Sequence, residues 1–255
     1  MSGILEVDRV SIAFGGLKAV SDFHLSLPKG ALHGLIGPNG AGKTTLFNML
    51  TGVYKPDQGT VALEGRRIDG WAPHRIAAAG LARTFQNIRL FKELTVLDNV
   101  RVATHARTRV TVVGALLRSL AWTGEEAAVT ESAEQLLGLF DLASRAHEQA
   151  GNLPYGDQRR LEIARALALR PSVLLLDEPA AGMNPQEKIE LRRLIQRVRD
   201  EFGLTVLLIE HDMGLVMDIC ENITVLDHGV VIAVGTPHEV QRDPAVVEAY
   251  LGTGH

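Results

Sequence analysis

The sequence predicts an α/β fold, a mainly parallel sheet core interrupted by a helical insertion, and three observations predict it. Short apolar runs of buried-strand type recur at residues 32–36, 172–176, 205–209 and 223–226. Helix-forming stretches near 45–50 and 185–200 follow the strands, the alternation that builds parallel sheets. From about residue 72 to 169 the pattern turns helical, with Leu136, Leu137 and Phe140 on one face of the segment 131–140.

The elements follow in order. Ile4-Leu5-Glu6-Val7, Lys18-Ala19-Val20 and Phe23-His24-Leu25-Ser26-Leu27 read as strands joined by turns, and Pro28-Lys29-Gly30 turns the chain into the run at 32–36. A glycine-rich loop comes next, then the apolar helix pattern at 45–50. Pro56-Asp57-Gln58-Gly59 is a turn leading to a short strand at 60–63. Residues 106–124 mix basic residues with Val112, Val113, Leu116, Leu117 and Trp122, which fits a packed hairpin or an amphipathic helix against a membrane-embedded partner. A last strand follows Gly229 at Val230-Val231-Ile232. The chain has no internal repeat, long linker or low-complexity tract.

Composition narrows the class. The chain has 255 residues, 46% of them apolar, enough for a sizeable core. Its longest aliphatic runs, such as Val173-Leu174-Leu175-Leu176, fall far short of the roughly 20 residues a spanning helix needs. The N-terminus shows neither a basic region nor a signal-length apolar stretch, so a cytosolic chain is expected. The single cysteine, Cys220, stands in the helix-like stretch 213–222 beside Leu215, Val216 and Ile219, and reads as a small core residue. A formal net charge of −4 argues against nucleic acid as the main partner.

Gly37-Pro38-Asn39-Gly40-Ala41-Gly42-Lys43-Thr44 has the spacing of a phosphate-binding loop, set between a strand and a helix. Glycines let the backbone turn successive N–H groups toward phosphate oxygens, and the positive helix end near Gly42 adds to them. Lys43 is expected on the β- and γ-phosphates, Thr45 beside the nucleotide, and the Thr44 hydroxyl on Mg²⁺. A second pattern, Val173-Leu174-Leu175-Leu176-Asp177-Glu178, is a buried strand ending in two acids, the form of a Walker B motif. Alternation points the two side chains to opposite sides at the strand's carboxyl end, where such sheets open to ligand. Asp177 then faces Mg²⁺, and Glu178 polarises the attacking water.

These motifs alone specify a P-loop NTPase. Further ones resemble the ABC transporter ATPases. Gln86 in Arg83-Thr84-Phe85-Gln86-Asn87 stands where that family has its Q-loop glutamine, which touches Mg²⁺ and the membrane subunit. Leu153-Pro154-Tyr155-Gly156-Asp157-Gln158 holds the place of the signature motif, and Ala180-Ala181-Gly182-Met183-Asn184 that of the D-loop. His211 ends the next strand like the switch histidine that contacts γ-phosphate, and Phe14 stands where an aromatic stacks on adenine. The resemblance implies a RecA-like parallel-sheet core with an N-terminal antiparallel β subdomain and an inserted helical subdomain. One ATPase domain would span 1–255, with the nucleotide-binding core at 1–86 and 170–255 and the helical subdomain at 87–169. It also implies a site completed in trans, with Tyr155 and Gly156 of one subunit facing the γ-phosphate held by another. The signature departs from Leu-Ser-Gly-Gly-Gln at Pro154, Tyr155 and Asp157, which predicts a weaker phosphate grip than in members that keep the serine, with Gly156 a safer trans contact than Pro154 or Asp157.

The finer resemblance covers almost the whole chain. Arg83-Thr84-Phe85-Gln86-Asn87-Ile88-Arg89-Leu90-Phe91, the Tyr155-Gly156 signature and the ending Ala249-Tyr250-Leu251-Gly252 look like branched-chain amino acid importer ATPases. The long stretch between Val100 and Gln149 is similar to the larger of the two ATPase subunits such systems carry. That implies two permease subunits, a second related ATPase or another copy of this chain, and indirectly an extracytoplasmic binding protein, at the cytoplasmic face of the membrane. The alternatives are the ATPase of lipopolysaccharide transport, which the longer insertion disfavours, and a soluble ABC ATPase of repair or translation. The latter usually has paired nucleotide units or long coiled coils. A nucleotide kinase has no use for the signature, Gln86 and His211 together.

Overall fold

The computed structural model describes residues 3–105 and 120–251. Their contacts divide into two compact units, one of residues 1–86 with 171–255 and the other of residues 87–170.

The first unit holds two sheets. One is four-stranded and antiparallel, in the order β2-β1-β4-β5, built from β1 (Leu5–Phe14), β2 (Leu17–Leu27), β4 (Gln58–Leu63) and β5 (Arg66–Arg67). The other is six-stranded, in the order β10-β9-β3-β8-β7-β6. Its parallel strands are β9 (Asn222–Asp227), β3 (Leu32–Ile36), β8 (Thr205–Ile209), β7 (Val173–Asp177) and β6 (Leu81–Arg83); β10 (Val230–Gly235) is antiparallel at the edge. This is the expected class, an α/β parallel core with an antiparallel β subdomain.

Helix α1 (Lys43–Leu50) shares one hydrophobic cluster with both sheets: Leu46, Phe47 and Leu50 with Val7, Val20 and Phe23 on one side and Leu35, Leu175 and Leu207 on the other. The alternate strand residues Leu174, Leu176, Val206 and Leu208 are equally buried but lie outside that cluster, on the opposite face. Burial on both faces is why these strands read as unbroken apolar runs. Short helices complete the unit: α2 (Pro73–Ala78), α7 (Met213–Ile219), α8 (Pro237–Arg242) and the C-terminal α9 (Pro244–Leu251). The long α6 (Pro185–Phe202) starts from a reciprocal cap between Asn184 and Glu187 and ends at Gly203 in a left-handed conformation.

Two sequence expectations change. Residues 72–169 are not uniformly helical, because Leu81–Arg83 pairs in parallel with Val173, Leu174 and Leu175. Three residues are too few to show a period, so only the pairing makes them a strand. Cys220 is not inside the helix but caps its end, buried among Gly34 and its neighbours. A Cβ on Gly34 would stand 3.2 Å from its sulfur.

The second unit is helical: α3 (Val96–His105), α4 (Leu120–Leu139) and α5 (Tyr155–Leu167), with 3-10 turns at Ala143–Arg145 and Ala150–Asn152. Leu136 and Leu137 of α4 are buried, and so is Phe140, which lies in the turn just beyond it. Within α5, Arg159 has no exposed surface and pairs with Glu162 at 2.7 Å. The fully buried Asn99 side chain bonds the Phe91 N–H and carbonyl at 2.9 and 3.0 Å, fastening the segment that follows Gln86. Most of the 106–124 stretch, 106–119, lies outside the described residues.

Candidate functional site

The loop from Gly37 to Gly42 joins β3 to α1. Gly37 has φ of 151°, and a Cβ there would stand 1.9 Å from the Leu226 carbonyl oxygen; Gly42, at φ 104°, would meet the Ala19 carbonyl at 2.5 Å. Only glycine fits where strand β9 and the β2 backbone press on the loop. Gly42 caps α1 without any side-chain bond to the first helical amides, which leaves those donors for an anion. Pro38 and Ala41 are buried, while Asn39, Gly40 and Thr44 are exposed and Thr45 is half-buried. Lys43 is buried, and its ammonium donates to the carbonyls of Gly37 at 2.5 Å and Pro38 at 2.9 Å. Burial lowers its pKa, against the raising effect of the Glu178 and Asp177 carboxylates.

Strand β7 ends at Asp177, and Glu178 turns into the left-handed region, φ 46°. A bulky residue held there is backbone strain stored at the strand end. Its N–H donates to the Ile209 carbonyl at 2.9 Å, so the ends of β7 and β8 are locked together. The Glu178 carboxylate collects two groups from distant segments. Gln86 Nε2 donates to its Oε2 at 2.7 Å, and His211 Nδ1 lies 3.5 Å from the same oxygen. Phe14 ends β1, nearly half exposed, and its ring meets that of Tyr54 edge-on at 5.2 Å between centroids.

The first unit thus gathers Gln86, Glu178 and His211 at one carboxylate and sets Lys43 in the field of Asp177 and Glu178. Tyr155 and Gly156 belong to the second unit, in the first turn of α5. Pro154 is the N-cap of that helix and gives it no side-chain bond. Asp157 faces Arg145 at 3.7 Å and Arg160 at 4.0 Å, so arginines offset its charge.

Two residues quoted in the sequence only as flanks prove central. The Arg83 side chain is only 6% exposed and its guanidinium reaches Asp177 Oδ2 at 2.6 Å. Glu210 is 1% exposed, and burial raises its pKa. Its carboxylate accepts from the Ala180 N–H at 2.7 Å, and from the His211 and Asp212 N–H groups at 3.2 and 3.3 Å. The available signal was a charge abutting an apolar strand, since a buried charge needs partners.

This sheet order, with a phosphate loop entering α1 and paired acids ending β7, defines a nucleotide-hydrolysing cassette, and residues 20–181 match the ABC transporter family. Residues 230–255 match the branched-chain amino acid ATP-binding cassette transporter family. Over 249 residues, 98% of each chain, the sequence is 47% identical to the high-affinity branched-chain amino acid transport ATP-binding protein BraF of Pseudomonas aeruginosa. It is 45% identical to LivG of Escherichia coli over the same span and coverage. Among solved structures it resembles the ADP conformation of MJ1267, an ATP-binding cassette of an ABC transporter, with a TM-score of 0.86 and 32% identity, covering 99% of this chain and 100% of that one. A nucleotide-free ATP-binding cassette from an ABC transporter gives 0.84 at 32% identity, covering 97% and 98%. The chain belongs to the ABC transporter family and, within it, to the ATP-binding proteins of branched-chain amino acid transport. It is a nucleotide-binding ATPase cassette. Among the described residues, no helix is long and apolar enough to cross a membrane.

Proposed function

We propose that this chain is the ATP-hydrolysing subunit of an importer of branched-chain or similar hydrophobic amino acids, held at the cytoplasmic face of the membrane by permease subunits. The convergence of Gln86 and His211 on Glu178, beside a lysine-anchored phosphate loop, carries the chemistry. Near full-length identity to BraF and LivG supports the cargo.

Phe14 stacks on adenine. The loop amides and Lys43 hold the phosphates, the ammonium exchanging the carbonyls of Gly37 and Pro38 for phosphate oxygens. Glu178 takes the proton of the attacking water, His211 contacts the γ-phosphate, and Gln86 leaves Glu178 to report the nucleotide to the permease. The Thr44 hydroxyl, the Gln86 side-chain carbonyl and the Asp177 carboxylate are oxygen donors of the kind Mg²⁺ takes. These three groups would hold Mg²⁺, which would supply neutralisation of phosphate charge when bound with the nucleotide.

The second face of the γ-phosphate is supplied in trans by Tyr155 and Gly156 of another copy or a related ATPase. The domain is one functional unit, with its core at 1–86 and 170–255 and its helical part at 87–169. Pro154 removes an N–H and a hydroxyl from the trans contact, so Pro154→Ser should tighten the ATP-bound dimer.

The test is Glu178→Gln. A positioned base is worth about 10²- to 10⁴-fold in rate, so hydrolysis should fall by that range while nucleotide binding persists and an ATP-bound dimer accumulates. Undiminished turnover excludes Glu178 as the base. Co-purification of permeases from solubilised membranes supports transport, whereas ribosomes or DNA in their place would refute it.

A further inference from the structure

We propose that Arg83 is a positioning residue that orients the Asp177 carboxylate for the metal–nucleotide complex and ties it to the phosphate-loop helix. This deepens the assignment of Asp177 as a metal ligand and rests on it.

Strand pairing places Arg83 beside Leu175, and the two-residue period of β7 turns Leu175 and Asp177 to the same face. The guanidinium can therefore reach one residue further along β7 on its own side. It does so from a buried position, with 6% of the side chain exposed on Arg83 and 6% on Asp177, at 2.6 Å to Oδ2. The other arm of the fork, NH1, bonds Asn48 Oδ1 at 2.7 Å and lies 3.4 Å from Thr51 Oγ1, both in or just after α1. The flat faces are covered by Phe47 at 5.4 Å and Phe85 at 5.1 Å to the ring centroids.

Each of these contacts is to a segment assigned above to the nucleotide. These are the helix opened by Lys43 and Thr44, the strand ended by Asp177 and Glu178, and the short run from Arg83 to Gln86. A fork with two rigid arms fixes two partners at once, which a lysine point charge cannot do. Holding Oδ2 restrains the Asp177 carboxylate and leaves Oδ1 as the remaining donor. Partners that orient a metal-ligating group typically contribute about 10- to 100-fold in metal affinity.

The experiment measures affinity for a fluorescent ATP analogue with Mg²⁺ and with EDTA, on wild type, Arg83→Met, Arg83→Lys and Asp177→Asn. The ratio of the two affinities isolates the metal's contribution. Arg83→Met should lower that ratio roughly tenfold or more while leaving the EDTA affinity within about twofold. It should also raise the Mg²⁺ concentration that half-saturates hydrolysis. Arg83→Lys, which keeps the charge and loses one arm, should fall between the two; it also serves if the methionine variant does not fold, because an unchanged ratio in it would then overturn the proposal. An unchanged ratio in Arg83→Met overturns it, and so does an equal loss with Mg²⁺ and with EDTA, which marks a purely structural residue. Asp177→Asn separates the two readings. If it changes the ratio and Arg83→Met does not, only the positioning role fails; if Asp177→Asn leaves the ratio intact, the metal-ligand assignment fails with it.

Discussion

Glu210 is the residue through which the start of the D-loop and the loop carrying His211 are held together, and Glu210→Gln measures that hold. The wild-type carboxylate accepts three backbone N–H bonds, from Ala180 at 2.7 Å and from His211 and Asp212 at 3.2 and 3.3 Å. A glutamine keeps one oxygen. If that oxygen serves Ala180, its NH₂ faces the other two donors, a donor-to-donor clash in a residue only 1% exposed. Leaving a buried polar group unsatisfied costs about 1–3 kcal/mol; relief from burying a charge offsets part of this, so a net loss near 1–2 kcal/mol is expected. In a chain of this size that lowers the melting temperature by roughly 2–8 °C.

The pH dependence has a definite sign. Burial raises the Glu210 pKa above its ordinary 4.5, so its contribution to stability is full below that value and is lost as pH rises through the folded-state pKa. The protonated acid still offers two oxygens to the three donors, which the amide does not. The deficit of Glu210→Gln is therefore largest at acid pH and narrows as pH rises. His33 acts in the opposite sense, because burial lowers its pKa from 6.5 to about 4 and its contribution is lost as pH falls between those values. The comparison is consequently variant against wild type at each pH, by calorimetry from pH 5 to 8.5, with ATP turnover alongside. Equal melting temperatures throughout, or a deficit that widens toward alkaline pH, would refute the reasoning.

Other outcomes follow from the same geometry. Lys43→Ala should abolish nucleotide binding or nearly so, since the buried ammonium is the loop's central cation; normal affinity by equilibrium titration would contradict the loop's assignment. Phe14→Ala, which removes the exposed ring at Tyr54, should weaken ATP binding by roughly threefold to tenfold while sparing turnover at saturation, the scale of one aromatic contact. Burial, aided by Glu221, pushes the Cys220 thiol up to about 12. A maleimide should leave it unmodified at pH 8 in the native protein and label it fully in denaturant, as mass spectrometry can show.

What could be read from the chain was what is local along it. The phosphate loop is contiguous, its glycines are demanded by backbone conformation, and buried parallel strands announce themselves as apolar runs. The strands at 32–36 and 205–209 were legible to the residue for that reason. The three-residue β6 was not, because it exists only by pairing with β7.

The side-chain constellation depended on the sheet. In the order β3-β8-β7-β6, strands distant in sequence lie side by side. That order brings Gln86 to Glu178 across 92 positions and Arg83 to Asp177 across 94. The amino-acid sequence alone determined that a triphosphate is gripped and where its loop lies, since that grip is built from consecutive backbone amides. Which groups face each acid was set by strand pairing across the sheet. Parallel crossovers align strand ends regardless of chain separation, and a buried charge such as Arg83 or Glu210 takes its meaning from the partner the fold delivers.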